Sequence, residues 1–397
     1  MRILQAHARY RNRGGEDTTV ANEGDLLRNA GHSVHLLDAE NAASPVAALG
    51  QLARSTWNRP EARRMSSAIA ELRPDVVHVH NTWFALSPAV LAAARRQGVP
   101  VVMTVQNYRL VCVGSNLFRN GRLCEDCVGR GPWRGVAHRC YRGSGLASGA
   151  LATNIAFHRA ARTWHREVDV VVAVSEFGVE RLVAGGVPRE KIVIKDNFTH
   201  EPPARRLPPS ESDQVLFVGR PTPEKGLELV LEAWRGARPS ALRLEVVGAP
   251  DPAGHADRGD GISFLGPLPH AEVQERMRGA RALLVPSQWP EGQPLVVLEA
   301  LAAGLPVVGT AIGGIEEVLR DDPRSRLVAL GDLAGWQTAL GELSDGTSVD
   351  RRGSSSRALY ERRFTPEVGL RRLIDVYRLA GERHASRESG GPSRLDV

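Results

Sequence analysis

Twelve short runs rich in Val, Ile and Leu, separated by longer stretches with helical spacing, constrain the fold of this 397-residue chain more than any other feature. In the first half the runs are Arg2–Ala6, Ser33–Leu37, Val76–His80, Pro100–Val105, Val168–Val174 and Lys191–Lys195. In the second half they are Gln214–Val218, Leu242–Val247, Ile262–Leu265, Arg281–Val285, Pro306–Gly309 and Arg326–Leu330. They lack clear alternation of apolar and polar residues, as in strands buried on both faces. Strands alternating with helices predict an α/β class with parallel sheets covered by helices on both sides. Two such sets predict two doubly wound domains, 1–196 and 197–363, joined near Asn197–Ser212, where Glu201–Ser212 is proline-rich and polar. A last amphipathic helix is predicted over Phe364–Glu382, with Leu370, Leu373, Ile374 and Tyr377 on one face. Residues 345–357 read as a flexible turn, and the Ser-, Gly- and Arg-rich 384–397 as a disordered tail.

Composition narrows the function classes. Apolar residues make up 42% and charged residues 24%, as in a soluble globular protein. No run of 18 apolar residues occurs, so no membrane span is predicted. The start lacks the apolar stretch of a secretory signal, so a cytoplasmic location is expected by default. The net charge of +6 is uneven: residues 1–200 hold 26 Lys and Arg against 17 Asp and Glu, a net +9, and the remainder is −3. A basic first half suits an acidic partner or the inner, anionic face of a membrane, although the preference for Arg over Lys is equally a compositional habit. No helix-turn-helix, zinc-finger or aromatic-sheet signature accompanies the charge, which argues against nucleic acid.

The chemistry concentrates in Trp289–Gly304. Glu291 falls in a tight loop after a buried strand. Pro294 suits the first turn of a helix, and Glu299 follows eight residues after Glu291. A helix start offers unpaired N–H groups to an anion, and carboxylates accept from sugar hydroxyls, so the stretch suits a sugar carried on phosphate. Two further strand-to-helix turns have related features. Gly14-Gly15-Glu16 opens a helix running to about Asn29, where glycines let the backbone approach a ligand. After Phe217-Val-Gly219-Arg220, the pair Arg220 and Lys225 flanks Pro-Thr-Pro-Glu before Gly226 begins a helix. Two cations at the carboxyl end of a strand suit a diphosphate.

Gly14-Gly15, Gly219-Arg220 with Lys225-Gly226, Val247-Gly248, Phe264-Leu-Gly266, Pro286-Ser287, Glu291-Gly292 with Glu299-Ala300, Ala303-Gly304-Leu-Pro306-Val and Gly313-Gly314 with Glu317 occur in this order. On these residues the chain resembles the retaining, nucleotide-sugar-dependent glycosyltransferases of family 4, over nearly all of 1–383. The resemblance implies a GT-B fold: two Rossmann-like domains facing a cleft, the last helix crossing back to the first domain. It implies that Arg220 and Lys225 bind the donor diphosphate and Glu299 the ribose. Glu291 would lie beside the donor sugar, with the backbone of Gly292, Gln293, Pro294 and Leu295 on sugar or phosphate. Gly14 and Gly15 would approach the diphosphate, and the loops at Gly219, Gly248 and Gly266–Leu268 would line the nucleotide. Transfer in this family needs no metal, and front-face attack leaves Glu291 without a nucleophilic role.

The acceptor side is expected in the first domain, around Gly14–Glu16, His80–Phe84, Gln106, Asn107 and the cysteine-bearing segment 109–149. Gln106 stands where many relatives carry a His that touches the donor sugar. An amide binds a hydroxyl but cannot become a cation. His78 and His80 end a strand, where a satisfied buried His is the commoner case.

Cys112, Cys124, Cys127 and Cys140 are the four cysteines and lie within 29 residues, spaced C-x11-C-x2-C-x12-C. A structural zinc, free thiols and a redox pair are all open readings of this spacing. A subset of the relatives carries a similar cysteine insert. The expected activity is transfer of a sugar from a nucleoside diphosphate to an acceptor hydroxyl of a polysaccharide, glycolipid or natural product. The rivals are a sugar epimerase or phosphorylase on the same fold, and a sugar-nucleotide-binding protein that has lost turnover.

Overall fold

The computed structural model describes residues 1–10, 14–42, 44–205, 207–239, 241–250 and 261–389. The chain divides into two units: Met1–Ser115, Glu125–Lys195 and Gly369–Val397 form the first, Asn116–Cys124 and Asp196–Val368 the second.

In the first unit the strands are β1 (Arg2–Arg9), β2 (Ser33–Glu40), β3 (Val76–Asn81) and β4 (Val101–Val105). A short hairpin, β5 (Phe118–Arg119) with β6 (Arg122–Leu123), groups with the second unit. β7 (Val170–Ala173) and β8 (Ile192–Ile194) complete the first sheet, whose order is β2-β1-β3-β4-β7-β8. All its pairings are parallel. Ile3, Val76, Val102, Val170 and Val172 present one face to Leu27 and to the last helix. That helix is Pro366–Ser389 and buries Gly369, Leu373, Val376, Tyr377, Ala380 and His384, a helical stripe facing the sheet. It extends past Glu382, so 384–389 is ordered helix rather than tail: His384 Nδ1 lies 3.2 Å and Arg387 Nη1 3.4 Å from the buried Asp169 carboxylate. Residues 390–397 lie outside the described residues.

The second unit has β9 (Gln214–Val218), β10 (Arg243–Val247), β11 (Ile262–Gly266), β12 (Ala282–Val285), β13 (Val307–Thr310) and β14 (Arg326–Val328). Their order is β11-β10-β9-β12-β13-β14, again all parallel. Counted within the unit this is 3-2-1-4-5-6, the dinucleotide-fold order, and it reverses between β9 and β12. The first unit reverses between β1 and β3. Ligands in open parallel sheets bind beyond the carboxyl ends of the strands at such reversals, which are where the Arg220–Lys225 and Trp289–Leu295 loops and the Gly14–Glu16 turn lie.

The expected turn at 345–357 is a helix, Gly346–Arg363. Asp345 caps it by accepting from Ser348 N at 3.0 Å. Its buried face is Val349, Gly353, Ser356, Leu359 and Tyr360. A side chain at Gly353 would meet the Gly304 carbonyl at 2.7 Å, so the glycine serves close helix packing rather than a turn.

Candidate active site

In the second unit a row of glycines shapes the strand ends. Gly248 has φ +96°, and a Cβ there would sit 2.4 Å from the Gly219 carbonyl. Gly219 N donates to Val247 O at 3.0 Å and Gly248 N to Gly266 O at 2.8 Å. The three strand ends are thereby tied together with no side chain over the rim. Gly226, φ +72°, turns the chain into the helix Leu227–Ala237 directly against the Pro286 carbonyl, where a Cβ would lie at 1.9 Å. This brings Lys225 beside the loop after β12.

The Glu291 loop is fixed from below. Gly314 N donates to Glu291 O at 2.8 Å, and a Cβ on Gly314 would fall 1.6 Å from the Gly292 carbonyl. Glu291 is buried, 7% exposed. Its Oε2 accepts from Lys225 Nζ at 2.7 Å and its Oε1 from the Ser287 hydroxyl. Lys225 also stands 6.0 Å from the centre of the Trp289 ring. Trp289 Nε1 and Thr222 Oγ1 are buried polar atoms with no partner among the described residues, which leaves hydrogen-bonding capacity at this loop. Arg220 is exposed and makes no ion pair among the described residues.

Pro294 is the N-cap of the helix Leu295–Ala302, one position earlier than a first-turn residue. No side chain caps this helix start, so its leading N–H groups remain available to an anion. Glu299, on the same helix, takes His270 as its partner: Nε2 to Oε1 is 2.8 Å. The hydrogen bond to Glu299 raises the His270 pKa against the opposing effect of burial. Leu268 is half-buried and packs with Leu295 against the core below. Gln293 has a structural task. Its amide donates to Asp196 Oδ1 at 2.8 Å and accepts from Asn197 N at 2.6 Å, so its side chain holds the first residues of the second unit.

In the first unit, Gly14 is the N-cap of the helix Gly15–Asn29 and its N–H donates to Asp17 Oδ2 at 2.9 Å. Space around Gly14 is open: a Cβ there would meet nothing within 4 Å. Glu16 accepts from Tyr10 OH and from Asn107 Nδ2, each at 2.7 Å. Arg109 lies 5.5 Å over the Tyr10 ring. Glu16 and Asn107 therefore come together, and Gln106 is their chain neighbour. His80 does not join them. It is buried with His78 against Glu23, its Nε2 3.6 Å from Glu23 Oε2, and both its ring nitrogens lack a hydrogen-bond partner among the described residues. Lys195 Nζ lies 2.8 Å from Glu23 Oε1. His78 bridges Tyr377 OH at 2.9 Å and Thr104 Oγ1 at 2.7 Å. Burial, then the nearby Lys195 charge, pushes the His78 pKa down to about 3, and burial also lowers that of His80. The pair is a neutral, packed element of the first unit.

Glu23, His78 and His80 are the group of metal-type ligands among the described residues whose atoms all lie within 4.8 Å of one another, and Lys195 already supplies their cation. Cys112, Cys124, Cys127 and Cys140 form no such group among the described residues. All four are half-buried. Cys127 Sγ points to Pro132 O at 3.7 Å, and Cys140 packs beside Trp83 and Leu151.

From the sequence, Ser287 and Trp289 stood inside the motifs without an individual role, and Thr222 and His270 were given none. Ser287 and Trp289 lie four and two residues before Glu291 in the chain, so their proximity was available; His270 required the fold.

The comparisons with known proteins agree with this fold. Residues 14–197 match the family described as "Glycosyl transferase 4-like domain", and 212–345 match "Glycosyl transferases group 1". A D-inositol 3-phosphate glycosyltransferase of Acidothermus cellulolyticus is 30% identical over 346 residues, 81% of this chain and 70% of that protein. A phosphatidyl-myo-inositol mannosyltransferase of Mycobacterium leprae is 29% identical over 232 residues, 56% of this chain and 62% of that protein. The match to the latter thus spans less than two thirds of its length. Among solved structures, a sucrose-phosphate synthase from Thermosynechococcus elongatus superposes with a TM-score of 0.68 at 16% identity, covering 97% of this chain and 99% of that one. HepE from Anabaena, solved with UDP, gives 0.63 at 16% identity, covering 98% and 100%. Two parallel-sheet α/β units, the Lys225–Glu291 loop pair and these matches lead to one statement: the chain belongs to family 4 of the glycosyltransferases and has the GT-B fold.

Proposed function

We propose that the protein transfers a sugar from a nucleoside-diphosphate sugar to an acceptor hydroxyl with retention of anomeric configuration. The observation that carries this reading is the Lys225–Glu291 contact of 2.7 Å beside an uncapped helix start, at the point where the strand order of the second unit reverses. Lys225, Arg220 and the N–H groups at Leu295 take the diphosphate, and Glu299 accepts from the ribose hydroxyls. Glu291, held by Lys225 and Ser287, orients the sugar and stabilises positive charge as it develops at the anomeric carbon. The acceptor oxygen bonds to that carbon on the face from which the diphosphate leaves. The carbon–oxygen bond to phosphate breaks, and the acceptor proton passes to the departing phosphate oxygen. Glu16, Asn107 and Tyr10 form the hydroxyl-binding group of the first unit. UDP is the nucleotide to test first, since HepE was solved with it.

Calorimetric titration with UDP, GDP and their sugars tests the donor half. One of them is expected to bind and to raise the thermal midpoint, by about 2.7 kcal/mol of stabilisation at 100 times its dissociation constant. Absence of binding by every nucleoside diphosphate would overturn the reading. NMR of the product's anomeric proton tests retention, and an inverted product would refute it.

A further inference from the structure

The segment between Asp126 and Glu167 holds seven arginines and no acidic residue. All seven, among them Arg139, Arg142, Arg159 and Arg162, are exposed. Arg134 comes within 3.9 Å of Asp126, and the other six make no ion pair among the described residues.

The same segment carries three of the large apolar side chains exposed on this chain: Trp133 at 57%, Leu146 at 92% and Phe157 at 46%. Leu146 and Phe157 lie on the helix Gly145–Ala160, whose buried face is Ser148, Leu151, Ala152 and Ile155. At about 100° per residue the two fall within roughly 20° of each other, opposite that buried face. Between them the outward face offers Gly149, Ala150 and Thr153, so it carries no charge along its length. A helix on the surface of a soluble protein ordinarily turns charge to water. Here the charge sits beyond the two ends: Arg139 and Arg142 just before the helix and Arg162 just after it, while Arg159 lies about 140° round the helix from Leu146, off this face. Trp133 belongs to the neighbouring helix Trp133–Ala137, which packs against this one.

An uncharged helical face framed by arginines, with an exposed Trp alongside, matches the boundary between anionic lipid headgroups and acyl chains. No helix among the described residues is long and apolar enough to cross a membrane. We propose that this face of the helix Gly145–Ala160 is a docking surface for an anionic lipid bilayer, on which the helix lies flat with Leu146 and Phe157 entering the headgroup layer. The proposal is independent of which sugar is transferred.

Co-sedimentation of the full chain with vesicles tests it. One set is phosphatidylcholine alone; the other is phosphatidylcholine and phosphatidylglycerol in equal parts. Binding is expected to the anionic vesicles only and to weaken as salt is raised. Arg139→Ser with Arg142→Ser is expected to lower the partition coefficient by about fivefold per arginine. Leu146→Ser with Phe157→Ser is expected to lower it at least tenfold by removing the buried apolar contact. These four side chains are exposed, so the thermal midpoint stays unchanged and a lost interaction is not a lost fold. Failure to bind anionic vesicles, equal binding to neutral ones, or binding untouched by both double substitutions would each overturn the proposal. The first result would leave the face to a protein partner.

Discussion

Lys225→Met isolates the contact on which the functional reading rests. The substitution keeps the length of the side chain and removes its charge. Glu291 is 7% exposed, and once Lys225 is gone it retains Ser287 as its partner among the described residues. A hydrogen bond to a charged group contributes about 1.5–3 kcal/mol, and a buried carboxylate left without its cation costs at least that much. The Lys225 side chain is 19% exposed, so water partly replaces it and a loss near 2 kcal/mol is expected. That lowers the thermal midpoint by roughly 4–8 °C for a unit of this size. Nucleoside diphosphate loses a charge-assisted contact of similar strength, an affinity loss of about 10–100-fold by calorimetry. The double variant Lys225→Met with Glu291→Gln separates the two effects. With no charge stranded, it recovers about 1–2 kcal/mol of stability relative to the sum of the single substitutions. Nucleotide affinity stays low, because the phosphate still lacks its cation. Stability effects that simply add would refute the coupled pair. An unchanged nucleotide affinity in Lys225→Met would refute the assignment of Lys225 to the diphosphate.

Three further outcomes are expected. Gly314→Ala places a Cβ 1.6 Å from the Gly292 carbonyl, so the Glu291 loop must move; donor turnover falls at least tenfold, and wild-type kinetics would show that the loop position is immaterial. The Glu299 contact raises the His270 pKa above the ordinary value of 6.5, so its contribution to stability is complete below that value and is lost as pH rises through the folded value. Deprotonation also releases Glu299 for ribose, so nucleotide affinity rises with pH through the neutral range. His270→Gln flattens that slope, and an identical slope in the variant would exclude the pair as its source. The His78 pKa is lowered to about 3, so the unfolded chain takes up its proton first. The resulting stability is complete above about 6.5 and is lost as pH falls towards 3. His78→Gln weakens this acid sensitivity in denaturation at pH 4 against pH 7, and an equal loss in both proteins would place the sensitivity elsewhere.

What was legible in the sequence follows from which interactions are local. The strands were readable because both faces of each sheet are covered, so Val170–Ala173 or Ala282–Val285 cannot tolerate polar residues. The turn at Gly226 and the helix start at Pro294 were readable because the backbone there favours those residues, Gly226 at φ +72° against the Pro286 carbonyl. The helix Gly346–Arg363 was not, because Gly353 and Ser356 interrupt the apolar stripe of Val349, Leu359 and Tyr360, and the value of Gly353 lies in close approach to the Gly304 carbonyl, which apolar periodicity does not register. What His80 and the Gln293 side chain face needed the fold: His80 is buried beside Glu23, and the Gln293 amide binds Asp196 and Asn197 while its backbone stays at the helix start. A sequence motif says which groups reach the rim of a sheet. It does not say which side chains are already engaged with a buried neighbour. Glu291 shows both sides of this. Its position was fixed by the motif, but its partnership with Ser287 and Lys225 emerges only when the Gly226 turn and the Gly313-Gly314 helix start press the two loops together. Gly226, Gly313 and Gly314 thus set the spacing of charges, and a substitution at any of the three acts on the Lys225–Glu291 distance before it acts on the donor.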